Sequence, residues 1–233
     1  MFLFYKMLFN KILKSLDEPL YLIYKFYDYD NFKFYVQGKS NYIYYLEINK
    51  NYQYCNCESF KSNNFCKHIF FILFKVFKIF KLNQKENKIY LVSNNRLIFS
   101  NFLEKLTFDD NEWSSFKIKF MFLKDRIKSS VVNKNLSYIF ESIFKSYNKN
   151  FKCNIIKENS VKCVICLENF DDKIKCKICN SFYHMKCLIL WFSNKSNKKC
   201  PTCSTDHWNL IYLYMLIYMN IKIPIDLLKI ENI

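Results

Sequence analysis

The stretch from residue 162 to residue 203, KCVICLENFDDKIKCKICNSFYHMKCLILWFSNKSNKKCPTC, constrains this chain more than any other. Cys163 and Cys166, Cys176 and Cys179, His184 and Cys187, and Cys200 and Cys203 each stand three positions apart. Every such pair sets two soft ligands across a tight turn, which suits the tetrahedral N/S geometry that zinc accepts. Four pairs make eight ligands, enough for two zinc ions. Spacing alone leaves open which pairs share an ion. A segment this short cannot bury enough apolar surface to fold unaided, so bound metal is expected to supply on the order of 10 kcal/mol of its stability.

The stretch resembles a RING finger. That family interleaves its pairs, and the resemblance implies Cys163, Cys166, His184 and Cys187 on one ion and Cys176, Cys179, Cys200 and Cys203 on the other. PHD fingers, which read histone tails, share the same ligand string. A PHD finger usually carries an aromatic residue two positions before its seventh ligand, where this chain has Lys198. RING fingers that recruit a ubiquitin-conjugating enzyme carry an aliphatic residue between the first two ligands, a Trp soon after the sixth and a Pro after the seventh. Ile165, Trp191 and Pro201 stand at those places. The run KCKICNSFYHMKCLILWFSNKSNKKCPTC is similar to the RING ends of Listerin and the Fanconi anaemia ubiquitin ligase. The resemblance implies a surface of Ile165, Trp191 and Pro201 that docks a ubiquitin-conjugating enzyme, apolar anchors of the kind that dominate interface energies. One position departs from it. Many active members have Arg after the last ligand, and this chain has Ser204, whose hydroxyl cannot replace a planar multi-donor guanidinium.

A second cluster lies upstream in YCNCESFKSNNFCKHIFFILFKVFKIF. Cys55, Cys57, Cys66 and His68 supply four more zinc ligands directly before an apolar run of helical length. Residues 32–37 and 42–48 are aromatic and β-branched and read as a hairpin, with Gly38 supplying a permissive backbone between them. Two strands, C-x-C, then C-x-H at a helix start resemble the SWIM zinc finger over residues 30–82, a family associated with DNA or protein binding. Ile69, Ile72, Leu73, Val76 and Phe80 form the expected inner stripe of the helix.

The fold class expected is therefore α+β: a ββα SWIM-like finger and a cross-brace RING, both zinc-stabilised, joined by a mainly helical middle region. The expected divisions are an N-terminal helix and lead-in at 1–29, the SWIM-type finger at 30–82, the middle region at 83–160, the RING at 161–206 and an apolar helix and tail at 207–233. In residues 1–16 Phe4, Met7, Leu8 and Ile12 share a helix face. Between the fingers Lys88–Val92 reads as a strand, Leu97–Leu106 and Leu136–Tyr147 as helices, and 109–113 and 128–135 as loops. Asp109, Asp110 and Glu112 read as a solvated turn rather than a metal or acid/base site. Residues 208–220 read as a helix ending before Pro224, and His207 as a surface residue.

Composition narrows the alternatives. Seven of the 11 Cys lie in the C-terminal cluster and three in the upstream one, leaving Cys153. Such pairing indicates metal ligation in a reducing, intracellular setting, cytoplasm or nucleus, rather than a disulfide scaffold. The apolar N-terminus is broken by Lys6 and Lys11 without a cleavage site, and no run approaches the roughly 20 apolar residues of a membrane span. The formal charge of +16 invites a nucleic-acid partner. Arg96 and Arg126 are the only Arg among 36 basic residues, however, and Arg is the better bidentate phosphate ligand. AT-rich codon usage accounts for much of the Lys. The resemblance of the two clusters to SWIM-plus-RING ubiquitin ligases implies a RING-type ubiquitin ligase working with a ubiquitin-conjugating enzyme and ubiquitin, with catalysis by orientation and no catalytic nucleophile. A non-catalytic adaptor or PHD-like chromatin reader, and SWIM-mediated nucleic-acid binding, are the rival readings.

Overall fold

The computed structural model describes residues 2–28, 30–40, 42–86, 88–93, 96–100, 102, 106–122, 127, 131–150, 162–169, 173–176, 178–193, 199–205, 208, 212, 215–216 and 221–224. It divides into two compact units, residues 1–140 with 224–233, and residues 141–223.

The first unit is built on an antiparallel meander of β1 (Tyr21–Asp28), β2 (Asn31–Gln37) and β3 (Tyr42–Ile48), with β4 (Gln53–Cys55) also paired to β3. The strands at 32–37 and 42–48 match the hairpin read from the sequence. β1 extends it, so the module is not a simple ββα unit. Alternation along β2 sends Phe32, Phe34 and Val36 to one face and Tyr35 to the other. Both faces are covered, which is why Tyr35 and Tyr45 are buried as well. Phe140 of α5 (Lys134–Asn150) packs on Tyr35 at 5.1 Å between ring centroids. On the other face Phe32 meets Trp113, Phe116 and Phe120 of α4 (Asp110–Phe122), with centroids 4.5–5.4 Å apart.

Helix α1 (Phe2–Asp17) buries Leu8, Ile12 and Ser15, while Phe4 and Met7 are exposed, so the inward stripe is rotated from the expected one. After the short α2 (Glu58–Asn63), helix α3 (Lys67–Phe70) continues as a π-helix over Phe71–Val76. It buries His68 through Phe74 without a break, because α1 and the sheet flank it. It also ends earlier than its apolar run suggests. Lys78 turns left-handed at φ 50°, and Phe80 opens strand β5 (Phe80–Asn83) instead of closing the helix.

β5 pairs with β6 (Lys88–Ser93), which pairs with β7 (Arg96–Phe99). Strands thus open the middle region ahead of its two helices, and Leu97–Phe99 is strand where a helix was expected. Residues 110–113 begin α4 and are not a loop. Asp109 accepts the Glu112 N–H at 2.8 Å and Glu112 accepts the Asp109 N–H at 2.9 Å, a capping box, and the same buried carboxylate accepts the Ser100 hydroxyl. Glu112 is thus buried where a solvated turn was expected, while Asp109 and Asp110 are exposed as expected. Several Lys also work internally: Lys75 Nζ donates to Leu16 O (2.7 Å), Lys25 Nζ to Phe120 O (3.0 Å) and Lys119 Nζ to Lys78 O (2.6 Å).

The second unit carries a hairpin, β8 (Lys173–Lys175) on β9 (Phe182–His184), running directly into α6 (Met185–Ser193). Its interior holds Ile174, Tyr183, Leu188, Phe192 and Trp208. Tyr212, Met215 and Leu216 are helical. Cys153 and His207 lie outside the described residues.

Candidate metal centres

All twelve sequence-predicted ligands fall into three groups of four whose ligand atoms lie within 4.8 Å of one another: Cys55, Cys57, Cys66 and His68; Cys163, Cys166, His184 and Cys187; and Cys176, Cys179, Cys200 and Cys203. The pairing left open by spacing is the interleaved one. Distances support an ion at each centre. A tetrahedron with Zn–S of about 2.3 Å has an S···S edge of about 3.8 Å, and a mixed N/S edge is slightly shorter. Cys176 Sγ lies 3.8 Å from Cys203 Sγ and Cys179 Sγ 3.7 Å from Cys200 Sγ, far beyond a disulfide bond. His184 Nδ1 is 3.2 Å from Cys166 Sγ and 3.8 Å from Cys187 Sγ.

The three C-x-x-C turns of the second unit share one construction. The N–H four residues on returns to the carbonyl of the first Cys: Leu167 to Cys163 (2.8 Å), Asn180 to Cys176 (3.0 Å) and Ser204 to Cys200 (3.0 Å). The residue after the second Cys is left-handed each time, with φ of 63° at Leu167, 60° at Asn180 and 58° at Ser204. Glycine would adopt that conformation without steric cost, yet none stands there. Ser204 therefore closes the turn through its backbone.

The two histidines are held differently. His184 donates its Nε2–H to the Asn169 carbonyl at 2.8 Å, which fixes the tautomer and turns the Nδ1 lone pair towards Cys166 and Cys187. His68 also turns Nδ1 inward, 3.8 Å from Cys55 Sγ, but its buried Nε2 has no hydrogen-bond partner among the described residues. Packing orients the ring instead, stacked on Tyr44 with centroids 4.1 Å apart. Gly38 makes room for this stack. A Cβ there would stand 2.6 Å from Tyr44 Cε2 and 3.3 Å from His68 Nε2, and Gly38 does not have positive φ. The chain's one glycine thus serves close approach, not the hairpin turn.

Thiol acidities follow the surroundings. Burial raises the Cys163 thiol, but N–H groups of Cys166, His184 and Ile165 outweigh it and bring it down to about 6. The Ser181 hydroxyl leads in lowering Cys179 to about 6. Burial holds Cys176 and Cys187 up at about 12 and pushes Cys55 and Cys66 upward. Hydrogen bonds from Cys55 and Cys66 lower Cys57.

Ile165, Trp191 and Pro201 are all half-buried. The fully buried indole of this unit is Trp208. Leu190, beside Trp191, is 70% exposed and Leu167 68%.

Residues 161–204 match the Ring finger domain family, and with the interleaved centres they are a RING finger domain that binds zinc. The same stretch is similar to E3 ubiquitin-protein ligase ZNRF4 of Homo sapiens, at 40% identity over 43 residues, 18% of this chain and 10% of that protein. It is 36% identical over 52 residues to RING-H2 finger protein ATL72 of Arabidopsis thaliana, 21% of this chain and 28% of that one. An uncharacterized RING finger protein of Schizosaccharomyces pombe, P4H10.07, is 38% identical over 47 residues, 19% of this chain and 8% of that one. The chain thus spans about a tenth of the length of ZNRF4 and little more than a quarter of ATL72. No solved structure matches the chain significantly. Among the described residues no helix is long and apolar enough to cross a membrane.

Proposed function

We propose that this chain is a RING-type ubiquitin-protein ligase that docks a ubiquitin-loaded conjugating enzyme through Ile165, Trp191 and Pro201 and promotes transfer to a substrate lysine. The observation that carries this reading is the pair of interleaved four-ligand centres, and the half-burial of Ile165, Trp191 and Pro201 is compatible with a docking role. Zinc in each centre supplies structure: four protein ligands close the tetrahedron and leave no position for a reactive water. Among the described residues every Cys belongs to a ligand group, so none of these thiols is free to take up ubiquitin as a thioester. Catalysis then lies in orientation, by holding the conjugating enzyme's thioester in a reactive conformer.

Residues 30–82 are proposed as a SWIM-type zinc finger that helps select substrate, supported by Cys55, Cys57, Cys66 and His68 gathered at the end of a strand and the start of a helix. Three centres imply three zinc ions per chain. The thiolate chemistry fits a reducing cytoplasm or nucleus. The run around the second centre keeps the likeness to Listerin and the Fanconi anaemia ubiquitin ligase as the proposed RING type.

Ser204 favours a second reading, a non-catalytic adaptor, because its exposed hydroxyl stands where a guanidinium would bridge enzyme and ubiquitin. Autoubiquitination by zinc-loaded protein across a panel of conjugating enzymes separates the two. Chains formed with at least one enzyme, and lost in Ile165→Ala and Trp191→Ala, support the ligase. Silence with every enzyme supports the adaptor.

A further inference from the structure

The residues that complete the interior of the RING unit lie beyond its last metal ligand and beyond the family match, which stops at residue 204. Trp208 is fully buried. Its ring stands edge-on to Tyr183, centroids 5.9 Å apart at 86°, and lies 5.7 Å from Phe192. Tyr212, whose N–H returns to Trp208 O at 2.7 Å, meets Phe192 edge-on at 5.5 Å. Met215 and Leu216 are buried too, and positions 208, 212, 215 and 216 stand at the sequence spacing of one helical stripe.

The two residues that Trp208 grips are placed to matter. Phe192 follows Trp191 on α6. Tyr183 precedes the ligand His184, and its hydroxyl lies 3.3 Å from Cys200 Sγ and 2.6 Å from Thr202 Oγ1. The indole therefore meets the helix bearing Trp191 directly and the turn bearing Pro201 through Tyr183. Aromatic contacts at these separations and angles are the favourable edge-on and offset kind.

We infer that Trp208, with Tyr212 behind it, is a positioning residue that braces α6 and so sets the face presented by Trp191 and Pro201. The docking unit then extends at least to Leu216. Its consequence for docking rests on the reading of that face proposed above, whereas the brace itself does not.

The test uses the full zinc-loaded chain with Trp208→Ala, Trp208→Phe and Tyr212→Ala. Three readouts are taken: zinc content, amide hydrogen exchange across residues 185–193, and affinity for the conjugating enzyme that is most active with the wild type. Trp208→Ala is expected to keep its zinc, to speed α6 exchange about tenfold or more and to weaken enzyme binding by a similar factor, with Trp208→Phe restoring most of both. Wild-type α6 exchange in a zinc-retaining Trp208→Ala overturns the brace. If Trp208→Ala loses zinc, Tyr212→Ala decides: faster α6 exchange with zinc retained supports the brace, and unchanged exchange overturns it. Absence of any enzyme binding to the wild type would remove the docking reading and leave α6 exchange to judge the brace alone.

Discussion

Gly38→Ala is the sharpest test of how the upstream centre is held. The new Cβ would stand 2.6 Å from Tyr44 Cε2, where ordinary carbon contacts lie at about 3.5–4.0 Å, so the ring or its strand must give by about 1 Å. Overpacking of this kind costs about 1–3 kcal/mol. Reduced freedom of the unfolded chain returns about 0.4–1 kcal/mol, and no left-handed backbone adds strain, because Gly38 lacks positive φ. The net is a destabilisation of about 1–2 kcal/mol. The displaced ring is the one stacked on His68, and metal–ligand distances tolerate only about 0.2 Å. Urea unfolding of the zinc-loaded chain should therefore show the first unit's midpoint lowered by roughly 0.5–1 M, with weaker retention of one zinc ion and no change in the other two. An unchanged midpoint with all zinc retained would refute the account of Gly38, Tyr44 and His68.

Three further outcomes follow from the geometry. Glu112→Ala removes both the capping-box acceptor and the partner of Ser100, and should cost about 1–3 kcal/mol in thermal or urea unfolding, without affecting zinc content. Each Cys ligand binds zinc as a thiolate, so zinc binding at pH 7 should release protons and affinity should fall as pH drops, which calorimetry in buffers of different ionisation enthalpy measures; an affinity indifferent to pH would contradict thiolate ligation. A chelator should strip the RING centres, where Cys166 is exposed, before the upstream centre, all four of whose ligands are buried; loss at equal rates would contradict this ordering.

Ligand positions were readable because zinc-ligand pairs are local: two ligands two or three positions apart mark themselves whatever surrounds them. The pairing of turns was not local, and only the assembled hairpin and α6 bring His184 beside Cys166. Strands β2 and β3 were legible from their aromatic and β-branched runs. β7 was misread because its apolar residues fit helical and extended patterns alike, and the start of α4 because Asp109 and Glu112 look solvated until their reciprocal bonds are seen. Phe80 continued an apolar run that nothing local interrupts; the left-handed Lys78 that ends the helix carries no sequence mark. Trp191 is singled out by family resemblance alone. Trp208 could have been found as the large aromatic opening an apolar helical segment just after the last ligand.

The ligase reading meets its most direct test in a discharge assay, with ubiquitin-loaded conjugating enzyme, free lysine as acceptor and the zinc-loaded chain. The account predicts faster loss of the thioester with the wild-type chain than without it, and a return to the background rate with Trp191→Ala at unchanged zinc content. Discharge that is no faster than background with every enzyme tried, or that is indifferent to Trp191, would contradict it.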